Sequence, residues 1–238
     1  MLLLAADTSG KQGSIALAQC RAGENCAVIE VVPLAGGTFS AQLIPQIAAL
    51  LEARGHGKSD VDAFAVANGP GSFTGLRVGL AAIKALAEVL QKPIAAISLL
   101  EAVACSGVAH GRVLAALDAG RGDVYVGDYE LDPEVRLHSE RLLSRAEFLT
   151  EANAAALAGT AMVTPDAALA EAARISTSAS GSSGKLIAYP DSCVIARLGW
   201  EHLQRGQTVR PEIWKPTTSA IPTLKFSRSR RRETDNCL

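Results

Sequence analysis

Between residues 68 and 79 the chain reads Asn-Gly-Pro-Gly-Ser-Phe-Thr-Gly-Leu-Arg-Val-Gly, and few folds accommodate such a stretch. It follows an apolar run, Val61 to Ala67, and leads into a helical apolar period that continues to Leu90. A buried strand therefore passes through a tight glycine turn into a helix N-terminus, which we place at Gly75. A terminus of this kind can hold an anion. The spacing is not that of a Walker loop, because no Lys follows Gly75, nor does it fit GxGxxG. Instead Gly71, Gly75 and Gly79 recur every four residues and form a side-chain-free ridge at helical pitch. Glycine in a helix costs up to about 1 kcal/mol relative to Ala. Its repetition implies that another backbone packs on the ridge, either from the same lobe or from a second chain. Leu76, Leu80, Ile83 and Leu90 then supply apolar contact, with Arg77 and Lys84 as polar handles. Core packing explains the same residues equally well.

The order of elements around this stretch defines the fold class. Leu2 to Ala6, Gly13 to Ala18 and Cys26 to Val32 are β-rich runs separated by turns, which suggests a three-strand meander. From Ser40, read as an N-cap, Leu43, Ile44, Ile47, Leu50 and Leu51 fall on one helical face, and Gly55 stops the helix after Arg54. The strand, glycine turn, helix and strand Pro93 to Ser98 then form a parallel crossover unit. Three antiparallel strands followed by helix, strand, helix, strand is the order of a ribonuclease-H-like α/β lobe. After a short helix at Leu99 to Cys105, strand character resumes at Val113 to Leu117 and Asp123 to Tyr129. Helices follow at Arg145 to Ala152, Pro165 to Arg174 and Ser192 to Arg205. The expected organisation is two lobes, residues 1–106 and 107–213, each a mixed sheet flanked by helices. Ser176 to Gly184 is low in complexity and reads as a flexible loop.

Composition narrows the function classes. Nearly half the residues are hydrophobic, enough for a packed core, but only 4% are aromatic. The stacking platforms of sequence-reading RNA modules and single-strand binders are therefore missing. Five scattered cysteines, Cys20, Cys26, Cys105, Cys193 and Cys237, show neither CxxC nor zinc spacing, so reduced, buried thiols are expected. His56, His110, His138 and His202 lie far apart and read as surface residues rather than metal ligands. No Ser/His/Asp or Cys/His arrangement stands out. Asp118 and Asp123 could pair as carboxylates only if their turn brings them together; a hairpin is the simpler reading. The opening MLLLAAD has no basic stretch, and Asp7 interrupts its apolar run, so no signal peptide, no membrane span and a cytoplasmic location are expected.

The turn Asp7-Thr8-Ser9-Gly10 closes the first strand, and two readings of it stand. Its hydroxyls, N–H groups and carboxylate could face a phosphate and its metal ion. Equally, it could be an Asx-type turn that holds the hairpin.

Four segments together carry a resemblance: LLLAADTS, VANGPGSFTGLRVGLAAIKALA, IAAISLLEAVA and VLAALDAGRGDVYVGDYE. The chain resembles the TsaB (YeaZ) family of tRNA threonylcarbamoyladenosine biosynthesis proteins from Leu2 to about Ile213. The resemblance implies an actin-like ATPase fold of two ribonuclease-H-like lobes, without the catalytic equipment of the paralogue TsaD. TsaD transfers a threonylcarbamoyl group to an adenosine beside the tRNA anticodon, and TsaE is the ATPase of the larger complex. The implied role is a non-catalytic scaffold that binds and activates TsaD and meets tRNA through the complex, with homodimerisation when alone. This chain would need no cofactor or metal, and ATP or ADP would sit at the subunit interface. The helices Ser40 to Arg54 and Gly75 to Leu90 would form that interface, with Leu43, Ile47 and Leu50 from the first helix and the glycine ridge from the second. The competing expectation is a stand-alone ATP-dependent kinase or ATPase of the actin-like superfamily that uses Asp7 to Gly10 for phosphate. A homodimeric binding protein is a third. Family members usually have a His-Ser pair where this chain reads Thr38-Phe39-Ser40.

The C-terminus departs further. From Lys225 five basic residues stand against Glu233 and Asp235, so the rest of the chain is mildly acidic. Such a tail can grip phosphate, but its Ser-rich, unpatterned sequence reads as a solvated end. Nothing after Ile213 resembles a family ending. If one G is restored before the codon of Trp214, codons exist that read VEANYIRHSDAEIF, which does resemble one. The segment from Trp214 on is accordingly read as the product of a single-base deletion.

Overall fold

In the computed structural model, residues 1–132, 134–177 and 184–210 are described. The low-complexity loop and the segment from Trp214 fall largely or wholly outside them. Two five-stranded sheets share one topology. The first runs β3-β2-β1-β4-β5, from β1 (Leu2–Asp7), β2 (Gly13–Gln19), β3 (Ala27–Leu34), β4 (Ala63–Ala67) and β5 (Ile94–Ile97). The second runs β10-β9-β6-β7-β8, from β6 (Arg112–Gly120), β7 (Asp123–Glu130), β8 (Arg136–Ser144), β9 (Ala161–Thr164) and β10 (Lys185–Leu186). In each sheet three antiparallel strands form a meander, and the next two add in parallel beside the first. This is the expected actin-like, ribonuclease-H-like α/β fold, with its unit present twice.

Six helices complete five layers: α1 (Phe39–Ala53), α2 (Phe73–Leu90), α3 (Leu99–Gly107), α4 (Arg145–Leu157), α5 (Ala167–Thr177) and α6 (Ser192–Gln204). Strand alternation assigns each side chain to a layer. Leu2, Leu4 and Ala6 of β1 join α1 and α2 in one outer core, whereas Leu3 and Ala5 point to the middle layer. The other outer core packs Phe148 and Ala152 of α4 and Leu169 and Ala173 of α5 against the second sheet. The middle layer holds α3 and α6 between the sheets, and here the helices exchange. Although α3 follows the first sheet in sequence, it packs on β6, β7 and β9; α6, near the end of the described chain, packs on β1, β2, β4 and β5. The sheets change over between Ile97 and Arg112, near the expected lobe boundary, but the helices do not follow that division. The abundance of Ala has its use in this layer. Ala16, Ala18, Ala63, Ala65 and Ala95 present a low surface on which α6 lies so closely that a Cβ at Gly199 would overlap that of Ala65.

Several local expectations are corrected. Helix α1 starts at Phe39, so Ser40 is its second residue and not the N-cap; Thr38 occupies the cap without a side-chain bond. Ile44, expected on the buried face, is 45% exposed. Helix α2 starts at Phe73 rather than Gly75, because Ser72 caps it by accepting from Gly75 N. Cys20 and Cys26 are not free thiols: the β2–β3 turn brings their Cα atoms to 4.4 Å, and they form a disulfide. Cys105 and Cys193 are free. Burial pushes the Cys105 thiol up to about 12, which keeps it protonated. Asp118 pairs with Val124 across the β6–β7 hairpin, and Asp123 with Gly120, so the hairpin reading of the two carboxylates holds. Strand β8 was not anticipated, because it lies at a sheet edge with both faces partly exposed and shows no clear alternation.

Candidate functional site

Two regions hold the sequence-derived candidates. The first is the junction of the β1 turn with α2. Thr8 and Ser9, each 2% exposed, lie directly beneath the glycine ridge. A Cβ at Gly71 would come within 2.6 Å of Ser9 O, one at Gly75 would overlap Thr8 O, and one at Gly79 would overlap Thr8 Oγ1. The ridge is therefore filled within the same lobe, one of the two partners that the sequence leaves open. Thr8 Oγ1 donates to Gly75 O at 2.8 Å, and Ser72 N donates to Ser9 O at 2.7 Å, locking turn and helix together.

The same geometry assigns the expected interface residues to the interior. Leu43, Ile47 and Leu50 of α1, and Leu76, Leu80 and Ile83 of α2, are at most 4% exposed and pack on the first sheet. Gly75 and Gly79 are buried with them. They hold the two helices to the sheet. Arg77 is exposed, and its guanidinium stacks 3.7 Å from the ring centroid of Phe73; Lys84 is half-buried. The outward faces are built from other residues. On α1 they are Ala41, Ile44, Pro45 and Ala48; on α2 they are Phe73, Arg77, Ala81, Ala85 and Val89. Phe73 is 52% and Val89 79% exposed. These apolar residues are interspersed with exposed charges, Glu52 on α1 and Arg77 and Glu88 on α2. The signal of this face in the sequence is a second, Ala-rich stripe at i, i+4, which is hidden by the stronger Leu/Ile stripe opposite.

The second region is a cleft of about 940 Å³ between the ends of the two sheets. Asp7 and Ser9 line it from the first lobe, Asp118 and Asp166 from the second, and Tyr189 and Asp191 from the segment that leads into α6. The turn is of the Asx type: Asp7 Oδ1 accepts from Ser9 N at 2.8 Å and from Ser9 Oγ at 2.5 Å. Thus the two hydroxyls expected to face a phosphate are committed, that of Thr8 to Gly75 and that of Ser9 to Asp7. Gly10 lies under the Tyr189 ring, where a Cβ would sit 3.2 Å from it. Burial, aided by Asp191, outweighs the two Ser9 bonds and pushes Asp7 up to about 6. Among the described residues, Lys11 is the one basic residue in the lining.

Among the described residues, no group of His, Cys, Asp or Glu could hold a metal ion. His110 and His138 are at the surface and His56 is half-buried. His202 departs from the expectation: its Nε2 lies 2.9 Å from Oε1 of the buried Glu101, which joins α6 to α3. Sequence inspection could not find this pair, because 101 residues separate its members. No described helix is long and apolar enough to cross a membrane.

Comparison with known proteins agrees with this geometry. A family model described as "TsaD: tRNA N6-adenosine threonylcarbamoyltransferase" matches residues 31–193, well over half of the chain. The tRNA threonylcarbamoyladenosine biosynthesis protein TsaB of Bacillus subtilis is 36% identical over 131 residues, 55% of this chain and 56% of that protein. TsaB of Escherichia coli is 33% identical over 143 residues, 59% and 60% of the two chains. The chain thus spans a little over half the length of the curated relatives it matches. YeaZ from Pseudomonas aeruginosa superposes with a TM-score of 0.67 at 27% identity, over 91% of this chain and 98% of that one. The chain belongs to the TsaD family, and within it resembles the TsaB (YeaZ) proteins.

Proposed function

We propose that this chain is the non-catalytic scaffold subunit of a cytoplasmic tRNA threonylcarbamoylation complex, which binds and activates a TsaD-type paralogue. The observation that carries the reading is the outward face of α1 and α2. Three large apolar side chains exposed on two adjacent helices, Ile44, Phe73 and Val89, support a protein–protein contact there. A paralogue built on the same lobe would present two equivalent helices, and the four would close into a bundle around the Ala-rich stripes. A second copy of this chain would fit the same face when the paralogue is absent, giving a homodimer. In this reading TsaE joins the larger assembly, tRNA is met through the complex, and any ATP or ADP lies at the joint between subunits. The alternative of a stand-alone ATP-dependent enzyme draws no support from the cleft, whose lining is acidic and whose turn hydroxyls are engaged within the fold.

The test is to mix the chain with TsaD from the same organism and read the mass by size-exclusion chromatography with light scattering. A one-to-one complex is expected. Phe73→Glu combined with Val89→Glu should abolish it without lowering the melting temperature, since both side chains project outward. A complex that survives both substitutions refutes the assignment of the face.

A further inference from the structure

The Cys20–Cys26 bond lies outside both regions described above, and the scaffold role makes no use of it. Its place in the hairpin makes it redundant as a staple. The β2–β3 ladder ends at Gln19 and Ala27, and the two cysteines are the next opposed pair, so the strands they join are already held together by hydrogen bonds. The closed loop contains only Arg21 to Asn25, and closing so short a loop restrains the unfolded chain less than closing a long one. The same pairing makes the bond easy to remake. Cys20 is held at both backbone groups, its N–H donating to Met1 O and its carbonyl accepting from the Met1 amino group, each at 2.9 Å. The ladder therefore keeps the two sulfurs opposite each other whether or not they are joined, and the hairpin accommodates both the thiol and the disulfide state.

What the bond changes is the contact with α6. Cys20 and Cys26 are buried with Trp200 in the middle layer, while Arg21 to Asn25 between them are exposed. Trp200 Nε1 donates to Glu24 O, inside the closed loop, and so carries the state of the loop into the helix. Two residues further along α6, His202 meets Glu101 of α3. Two thiols need more room than a bonded pair of sulfurs, and in a close-packed layer that room must come from a neighbour. The exposed turn is the neighbour that can yield, and its displacement takes Glu24 O away from Trp200. We infer that Cys20 and Cys26 form a reversible thiol–disulfide switch, whose bonded state clamps the β2–β3 turn onto α6 and whose reduced state releases it. Oxidation joins the two sulfurs, and the two electrons and two protons given up pass to a low-molecular-weight disulfide such as glutathione disulfide, which leaves as two thiols. Reduction runs the same exchange backwards through a mixed disulfide, with the small thiolate attacking Cys26, which is 7% exposed against 0% for Cys20. The cytoplasm proposed for this chain is reducing, and disulfides that form there are transient or redox-sensing rather than permanent.

The full chain, carrying Trp214→Phe so that Trp200 alone fluoresces as a tryptophan, is equilibrated in glutathione buffers from fully reduced to fully oxidised. Blocking with N-ethylmaleimide and mass spectrometry of the peptide that holds Cys20 and Cys26 then read the bonded fraction. A single two-electron transition is expected, half complete within the range of the buffers, with Trp200 emission moving to longer wavelength along the same curve as the pair is reduced. Cys26→Ser, and Cys26→Ala as a second replacement, should abolish the emission change, whereas Cys105→Ser combined with Cys193→Ser should leave it. A pair that stays bonded at every ratio would be a permanent staple and overturn the proposal. Thiols at every ratio, or glutathione adducts in place of the bond, would overturn it by removing the disulfide. A transition that leaves Trp200 emission unmoved would overturn the coupling to α6.

Discussion

The contact between Thr8 and the glycine ridge can be dissected by a double-mutant cycle, because two glycines meet different parts of the same residue. In Gly79→Ala the new methyl overlaps Thr8 Oγ1, and apart from that hydroxyl its nearest neighbours are Thr8 Cβ at 3.4 Å and Cγ2 at 3.6 Å. Overpacking of this kind costs about 1–3 kcal/mol. Displacing Oγ1 also breaks its bond to Gly75 O, worth about 1 kcal/mol. Against these stands the helix propensity of Ala over Gly, about 1 kcal/mol in favour. The net expectation for Gly79→Ala alone is a loss of about 1–3 kcal/mol. In a Thr8→Ala background Oγ1 and Cγ2 are gone and the remaining contact is ordinary, so Gly79→Ala should become neutral or stabilising by up to about 1 kcal/mol. The coupling energy is then about 1–4 kcal/mol. Gly75→Ala supplies the control: its methyl overlaps the Thr8 carbonyl oxygen, which Thr8→Ala leaves in place, so its cost should be the same in both backgrounds. Urea unfolding of the six proteins followed by circular dichroism measures all of these terms. If Gly79→Ala costs the same with and without Thr8, or if Gly75→Ala is harmless, the ridge is not filled as described.

Two further outcomes follow from burial. With Asp7 at about 6 rather than the ordinary value near 3.9, carrying its charge at neutral pH costs the fold on the order of 3 kcal/mol. Because the folded-state value is raised, the favourable contribution is complete below the unfolded value and is lost as pH rises through about 6; Asp7→Asn should therefore gain on the parent between pH 4 and pH 7.5 in urea titrations, and a pH-independent difference would contradict this. Trp200 Nε1 donates to Glu24 O at 3.0 Å and so pins the disulfide-closed turn to α6; Trp200→Phe should lower stability by about 1 kcal/mol in thermal melts, and an unchanged midpoint would show the bond to be idle.

What the sequence disclosed and what it hid divide along one line. Local order was readable: the meander, the strand–glycine turn–helix unit and the close approach demanded by Gly71, Gly75 and Gly79 all follow from residues within a few positions of one another. Which face of a helix meets which neighbour is a long-range fact. The strongest apolar stripe on α1 and α2 reads in the sequence as either partner-facing or core-facing, and a stripe of Leu and Ile is what the chain's own sheet attracts first. The outward stripes are the weaker ones, from Ala41 to Ala48 and from Phe73 to Val89. Likewise the Asp7 turn could be read in two ways until Tyr189 and Asp191, some 180 residues later, were seen beside it. His202 and Glu101 meet only because α3 and α6 share the middle layer.

The exchange of those two helices has a consequence for how the molecule is made. Translation delivers the five strands of the first sheet by residue 97, yet the helix that shields their Ala-rich inner side, α6, does not begin until Ser192. Nearly a hundred residues must leave the ribosome while that surface waits, and α3, emerging at once, covers strands that do not yet exist. The two units therefore complete each other late and together, in one cooperative event near the end of synthesis. A ribosome that stalls anywhere between them releases an open sheet rather than half a protein.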